Sequence, residues 1–215
     1  MSRTLGWLAA LTLAAGLVMA FGVAPREVTQ GNVQRIMYLH VPTVLVAYLA
    51  FAVVFVASIV YLLRRDAAAD RLAHASAEVG VLFTGLTIAA GAIWGKPTWG
   101  TWWTWDARLT SVAILFVMYL GYLLLRGMIE DHDRAARYSA VVGIVAALDI
   151  PLVHFSVYWW RTLHQPPSLL KPGPATMSEG ILAALLVNLV AFALLYAYLV
   201  AKRVGVLRRE EEALA

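Results

Sequence analysis

Six apolar segments, each about as long as a membrane-spanning helix, constrain this 215-residue chain most strongly. A helix needs about 20 predominantly apolar residues to cross the hydrocarbon core of a bilayer. The chain is 61% hydrophobic and 14% charged, whereas a soluble domain carries about 25% charged residues. The pattern predicts an all-α integral membrane protein that forms one six-helix domain over 1–215, with approximate spans at 5–23, 39–63, 74–94, 109–125, 138–158 and 180–201.

The distribution of basic residues between the links predicts how the spans are oriented. The amino-terminal end, the 64–73 link, the 126–137 link and the carboxy-terminal end together hold 11 of the 17 Lys and Arg residues. The links at 24–38, 95–108 and 159–179 hold the other 6. Because basic residues concentrate in cytoplasmic links, we expect both termini in the cytoplasm and the second set of links outside.

The first span also resembles a secretory signal peptide. Arg3 precedes an apolar run that ends near Val18-Met19-Ala20, which resembles the small-residue cleavage site of a leader. The apolar run is long for such a leader, and only one basic residue precedes it. We therefore expect a retained helix.

Tryptophan is concentrated in one short stretch. The sequence WGTWWTWD at 99–106, with Trp94 before it, places five of the eight tryptophans within twelve residues. An interfacial aromatic belt is the alternative, but a belt needs one or two rings per helix end. We expect an aromatic surface for a large, flat, apolar ligand. We also expect the helix to be broken in this stretch, at Gly91, Gly95, Pro97 and Gly100.

Two histidines fall on the same predicted outer side as seven of the eight tryptophans. His40 lies at the start of the second span, and His164 lies just beyond the fifth. A single interfacial histidine is usually a hydrogen-bonded surface group, but neutral imidazole is also a common axial ligand of heme iron. Two such groups can hold a porphyrin from both faces. Because the chain has no cysteine, covalent attachment of heme through a C-x-x-C-H motif is excluded.

The other candidate residues each have a structural alternative. His154 is either a further ligand or a partner in a helix–helix hydrogen bond. Asp106 either caps the fourth span or belongs to the site, and the two roles are compatible. Asp149 is either a functional ionisable group within a span or a partner for backbone groups freed by Pro151. His74 and His132 lie among charged residues on the cytoplasmic side, and we expect both to be solvated loop residues.

Basic residues flank the aromatic and histidine motifs on the outer side. An arginine can bind the carboxylates of heme propionates in a bidentate manner, and anchoring to lipid phosphate is the alternative. The residues concerned are Arg35, Lys96, Arg108 and Arg161.

Several functions are excluded or disfavoured. The chain has no phosphate-binding G-x-x-x-x-G-K-[ST] loop and no H-E-x-x-H motif, and its basic residues lie at span ends, where the lipid bilayer explains them. We therefore expect no enzymatic activity and no nucleic-acid binding. A quinone-reducing enzyme would need paired histidines on the inner side, which are not evident.

The motifs resemble those of a heme-handling family with the pattern W-G-x-x-W-x-W-D. Over the whole chain, the sequence is similar to the cytochrome c maturation family CcmC, also called heme exporter protein C. The resemblance depends on segments 30–32, 35–42, 94–110 and 154–165. It implies a protein of the bacterial inner membrane that binds heme b non-covalently and transiently at the periplasmic face.

The resemblance also implies partners, ligands and a role. Heme is delivered to the periplasmic heme chaperone CcmE within an ABC-type complex that contains CcmA, CcmB and CcmD. An alternative is a permease subunit that conducts heme across the bilayer. His40 and His164 are the implied axial ligands. The full set of residues expected in the site is Arg35, His40, Trp94, Trp99, Gly100, Trp102, Trp103, Trp105, Asp106, Arg108, His154, Arg161 and His164.

Overall fold

The computed structural model describes residues 2–166, 168–169, 171–174 and 176–214, and these form a helical bundle. A π-helical turn, Met19–Val23, extends the first helix, and a 3-10 turn, Val33–Ile36, precedes the second. The helices are α1 (Ser2–Val18), α2 (Met37–Arg64), α3 (Ala67–Trp99), α4 (Ala107–Met128), α5 (His132–Ala147), α6 (Asp149–Trp159) and α7 (Glu179–Leu214).

In the part of the chain that the structure describes, six helical segments are long and apolar enough to cross a membrane, which confirms the predicted all-α membrane fold. They are Arg3–Val23, Val33–Arg64, Ala67–Trp99, Ala107–Met128, His132–Trp159 and Glu179–Ala213. An even number of spans brings both termini to one end of the bundle, which we call the terminal end. The longer links at 24–36 and 100–106 and the described residues of 160–178 lie at the opposite end, which we call the loop end.

The predicted break in the third span is wrong at three of its four positions. α3 continues through Gly91, Gly95 and Pro97 and ends at Gly100, because a bilayer helix tolerates glycine and proline where neighbouring groups compensate. Gly100 has a φ of +79°, a left-handed conformation that glycine adopts without strain. Its N–H donates to the carbonyl of Lys96 at 3.0 Å, which closes the helix.

The predicted fifth span consists of two helices. α5 ends at Ala147 and α6 begins at Asp149. Pro151 lies in the first turn of α6, where its missing N–H removes no intrahelical hydrogen bond. The interruption therefore comes just before the proline.

Close helix contacts fix the bundle. α2 packs most extensively against α3, and α1 packs mainly against α7. Phe51 of α2 stacks on Tyr119 of α4 with ring centroids 3.6 Å apart. Between α1 and α7, the Asn188 side chain donates to the carbonyl of Gly16 at 3.0 Å, which couples the first span to the last.

Ion pairs concentrate at the terminal end. Arg126 binds both carboxylate oxygens of Asp70 through Nη1 and Nη2, and Arg203 binds both oxygens of Glu78 through Nε and Nη2. The expectation that His74 is a solvated loop residue is wrong, because it lies within α3 with its Nε2 atom 3.2 Å from Glu78. These pairs connect α3, α4 and α7.

Candidate ligand-binding site

A pocket lies at the loop end between α2, α3, α4 and α6 and reaches into the bundle. Its deeper walls are apolar, with side chains such as Leu45, Val112 and Leu115. Its outer part contains the aromatic and imidazole groups. Eight of the thirteen predicted site residues line this pocket: His40, Trp94, Trp99, Trp102, Trp103, Arg108, His154 and His164.

His40 is positioned by two helices. It lies in the first turn of α2, and its Nδ1 atom is 3.1 Å from the carbonyl oxygen of Thr87 on α3. A carbonyl oxygen can only accept a hydrogen bond, so Nδ1 carries the proton. The lone pair of Nε2 therefore remains available to coordinate a metal ion. The ring fits closely against α3 at Gly91, where an added Cβ would lie 2.9 Å from the imidazole Cε1. Trp94 contacts the same ring edge-on, with centroids 5.8 Å apart.

His164 reaches the same pocket from the link that follows α6. Its Nδ1 atom lies 2.7 Å from the carbonyl oxygen of Gln165, so that Nε2 is again the free nitrogen. Burial, together with the positive charge of Arg108, lowers the pKa of His164 to about 4. The imidazole is therefore neutral near pH 7, and its ring packs against Trp99 with centroids 5.9 Å apart.

The tryptophans are divided between helix and loop. Trp94 and Trp99 belong to the last turns of α3, and the Trp94 indole N–H donates to Gln30 Oε1 at 2.8 Å. Trp102 and Trp103 follow in the 100–106 link and also line the pocket. The indole nitrogen of Trp103 is buried and has no hydrogen-bond partner among the described residues. Trp105 is 79% exposed and lies outside the pocket lining.

Asp106 caps α4, as the sequence predicted for the structural role of this residue. Its Oδ1 atom accepts from the Leu109 N–H at 2.9 Å. Its other oxygen accepts from the backbone N–H of Leu163 at 3.1 Å. Asp106 and Gly100 both lie outside the pocket lining, so the structure gives each of them a backbone role at the edge of the site.

Only one of the three predicted arginines lines the pocket. Arg108 in the first turn of α4 contributes to the wall, and its Nη1 atom is buried without a partner in the described chain. The Arg35 guanidinium binds the carbonyls of Ala20 and Ala24 instead. Arg161 is exposed and outside the lining. The structure therefore does not bring Arg35 and Arg161 to the pocket.

Sequence reasoning missed two hydroxyl groups in the pocket wall. Tyr48 and Thr87 line the pocket, and each has a buried hydroxyl without a hydrogen-bond partner in the described ranges. Tyr48 lies eight residues after His40 on the same helix, a spacing that places both on one face. This spacing is the sequence signal that could have identified Tyr48 as a pocket residue. Thr87 was identifiable only from the packing of α3 on α2.

The donor set limits what the pocket can hold. Among the described residues, no group of three or more His, Cys, Asp or Glu side chains could bind a metal ion. The pocket offers two imidazoles with free Nε2 atoms, aromatic rings, apolar walls and one partly buried cation whose Nη1 atom is buried. This set suits a ligand that is flat, apolar, anionic at an edge and itself contains a metal. The residues present fit heme.

The fold defines a multi-pass membrane protein with an aromatic and imidazole-lined pocket at one end of its bundle. The family model of CcmC, heme exporter protein C, matches residues 1–215. This chain belongs to the heme exporter protein C family, which confirms the resemblance found in the sequence. Membership assigns it to heme handling in cytochrome c biogenesis.

Individual relatives agree with the family assignment. The chain is 44% identical to heme exporter protein C of Bradyrhizobium diazoefficiens, over 99% of this chain and 82% of the relative. It is 38% identical to heme exporter protein C of Haemophilus influenzae, over 93% and 81%. A putative cytochrome c biosynthesis ccmC-like mitochondrial protein of Marchantia polymorpha is 38% identical, over 74% of this chain and 68% of the relative.

Proposed function

We propose that this protein holds heme b, non-covalently and transiently, between His40 and His164 and delivers it to the periplasmic chaperone CcmE. It does so as a subunit of an ABC-type complex with CcmA, CcmB and CcmD in the bacterial inner membrane. One observation carries the proposal: two imidazoles from different segments line one pocket, and each has its Nδ1 atom hydrogen-bonded to a backbone carbonyl. Such bonds fix the tautomer and orient the Nε2 lone pair of an axial ligand.

The two ligands differ in how firmly they are held. His40 lies on α2 and bonds to α3, so its position is set by two packed helices. His164 lies in the link after α6 and bonds to its own neighbour, Gln165. Exchange of His164 for a ligand from an acceptor requires movement of a loop only, which suits a protein that must release its cargo. The chain itself makes no covalent bond in this step.

Arg108 supplies a charge complementary to a heme propionate. A buried cation that lacks a partner is unfavourable, and the Nη1 atom of Arg108 is buried without one among the described residues. A propionate at this position would pair with the guanidinium. Arg35 and Arg161 have no role in the proposed site, because neither lines the pocket.

The walls suit the remainder of the porphyrin. The four pocket tryptophans, Trp94, Trp99, Trp102 and Trp103, offer flat apolar area near the opening. Trp102 is 57% exposed, so part of this surface remains accessible to an acceptor. With no cysteine in the chain, heme is held without a thioether bond, by coordination, packing and the ion pair with Arg108.

The charge distribution supports a periplasmic position for the pocket. Eleven of the 17 basic residues belong to the termini and links of the terminal end, which by the positive-inside tendency faces the cytoplasm. The pocket lies at the loop end, which then faces the periplasm.

A loading and transfer assay tests the proposal. The purified protein is loaded with heme, separated from free heme and mixed with the soluble domain of CcmE. We expect His40→Ala to reduce both retained and transferred heme at least about tenfold, because an axial ligand is lost. His132→Ala is the control, since His132 is exposed at the start of α5 at the terminal end. Equal loading and transfer by wild type and His40→Ala would overturn the proposal.

A further inference from the structure

We infer that Asp106 is a positioning residue that holds the His164 segment against the tryptophan loop through the backbone of Leu163. This inference rests on the proposed function, because it concerns how one axial ligand is held. Asp106 lies outside the pocket lining, so it acts through its neighbours and does not contact the cargo.

A single carboxylate joins three elements of the loop end. Its Oδ1 atom accepts from the Leu109 N–H at 2.9 Å and caps α4. Its Oδ2 atom accepts from the Leu163 N–H at 3.1 Å and from the Thr104 hydroxyl at 3.3 Å. The residue after Leu163 is His164. The carboxylate therefore connects the start of a membrane helix to the residue that precedes a proposed axial ligand.

The segment that carries His164 has few other attachments. The Thr162 hydroxyl donates to the His164 carbonyl at 3.0 Å, and His164 Nδ1 contacts the Gln165 carbonyl. Both bonds lie within the segment. Over 161–166, the bond from Leu163 to Asp106 is the one hydrogen bond to a distant part of the described chain. Leu163 is 43% exposed, so burial does little to fix this backbone.

Both oxygens of the side chain are needed, which makes the role testable. Asparagine is as good an N-cap as aspartate, and its single carbonyl oxygen can still accept from Leu109. Its other terminal atom is a donor and cannot accept from the Leu163 N–H. Asp106→Asn therefore keeps the cap of α4 and removes the bond to the His164 segment.

The test compares ferric heme spectra and heme dissociation rates of the full-length protein. We expect Asp106→Asn to lose part of the six-coordinate, low-spin spectrum, as His164→Ala does, and to release heme roughly tenfold faster or more, since a hydrogen bond to a charged group is lost. Added imidazole should restore the low-spin spectrum of both variants. A mere folding defect would not be reversed in this way.

Matched variants make the result decisive. Asp131 caps α5 at the terminal end by accepting from the Arg134 N–H at 2.9 Å, so Asp131→Asn should behave as wild type. Asp106→Ser, which also keeps an N-cap oxygen, should reproduce Asp106→Asn. The inference is overturned if Asp106→Asn keeps the wild-type spectrum and dissociation rate while His164→Ala loses them. If His164→Ala itself matches wild type, the proposed ligand set is wrong as well.

Discussion

Replacing Gly91 by alanine should weaken heme binding by displacing His40. An added Cβ at this position would lie 2.9 Å from the His40 Cε1 atom, whereas carbon atoms in contact are about 3.5–4.0 Å apart. The imidazole must therefore move by at least about 0.6 Å. Gly91 and Thr87 lie one turn apart on the same face of α3, so this movement also lengthens the 3.1 Å contact between Nδ1 and the Thr87 carbonyl. The hydrogen bond that fixes the tautomer is lost or weakened.

The size of the effect follows from the cost of overpacking. An extra methyl group in a packed site typically costs about 1–3 kcal/mol. In the heme-free protein the ring can rotate away, whereas in the heme-bound protein it must stay in place to reach the iron. Most of the cost therefore appears in binding, as a decrease in heme affinity of about 5- to 150-fold. Titration of the purified protein with heme, followed at the Soret band, measures it.

Gly85→Ala provides the matched control. This glycine lies in the same helix, and an added Cβ would be 3.6 Å from the Phe116 ring, which is ordinary contact. Both substitutions gain the same helix propensity, up to about 1 kcal/mol, so that the difference between them reports the contact with His40. Equal heme affinity and equal spectra for the two variants would show that the close contact between Gly91 and His40 does not position the imidazole for heme binding.

Two further predictions concern pH and packing. Because burial lowers the pKa of His164 to about 4, its imidazole stays neutral as the pH falls through the ordinary value of 6.5; heme affinity followed at the Soret band should therefore decline only below about pH 4, by about tenfold per pH unit. A decline that begins near pH 6.5 would contradict the placement of the His164 imidazole in the pocket beside Arg108. In the bundle, Gly16→Ala should lower the thermal unfolding midpoint, because the new Cβ would lie 2.6 Å from Asn188 Oδ1 and overpacking costs about 1–3 kcal/mol. Gly121→Ala, whose Cβ would have no atom of another helix or link within 4 Å among the described residues, should not lower it, and equal midpoints for the two variants would contradict the packing of α1 on α7.

The spans could be predicted from the sequence because bilayer thickness sets the length of an apolar helix. Not all of their ends could be. Local signals were sufficient for the glycine cap of α3 at Gly100 and the aspartate cap of α4 at Asp106. α7 continues to Leu214, well beyond the apolar run, and there Glu211 pairs with Arg71 of α3. α3 passes through Gly91, Gly95 and Pro97 while α2 packs extensively against it. Contacts between helices, which local sequence does not contain, are needed to predict how far these two helices extend.

The residues of the candidate site were likewise predictable only in part. His40, His164 and four of the tryptophans were identifiable from residue type and predicted side, and the structure gathers them in one pocket. The position of Arg35 outside the pocket could not be predicted, because its guanidinium donates to the carbonyls of Ala20 and Ala24 at the end of the first span. The hydrogen bond between Asp106 and Leu163 joins residues 57 positions apart, and no local motif predicts it.

Ligation of heme iron by His40 and His164 is tested most directly by the absorption spectrum of the isolated chain, purified without partner subunits and loaded with heme. We expect a Soret band and a low-spin spectrum of an iron with two imidazole ligands. We also expect His40→Ala and His164→Ala each to lose this signature, whereas His132→Ala keeps it. A wild-type spectrum in both single variants, or no heme bound by the isolated chain, would contradict the claim that His40 and His164 together hold the iron.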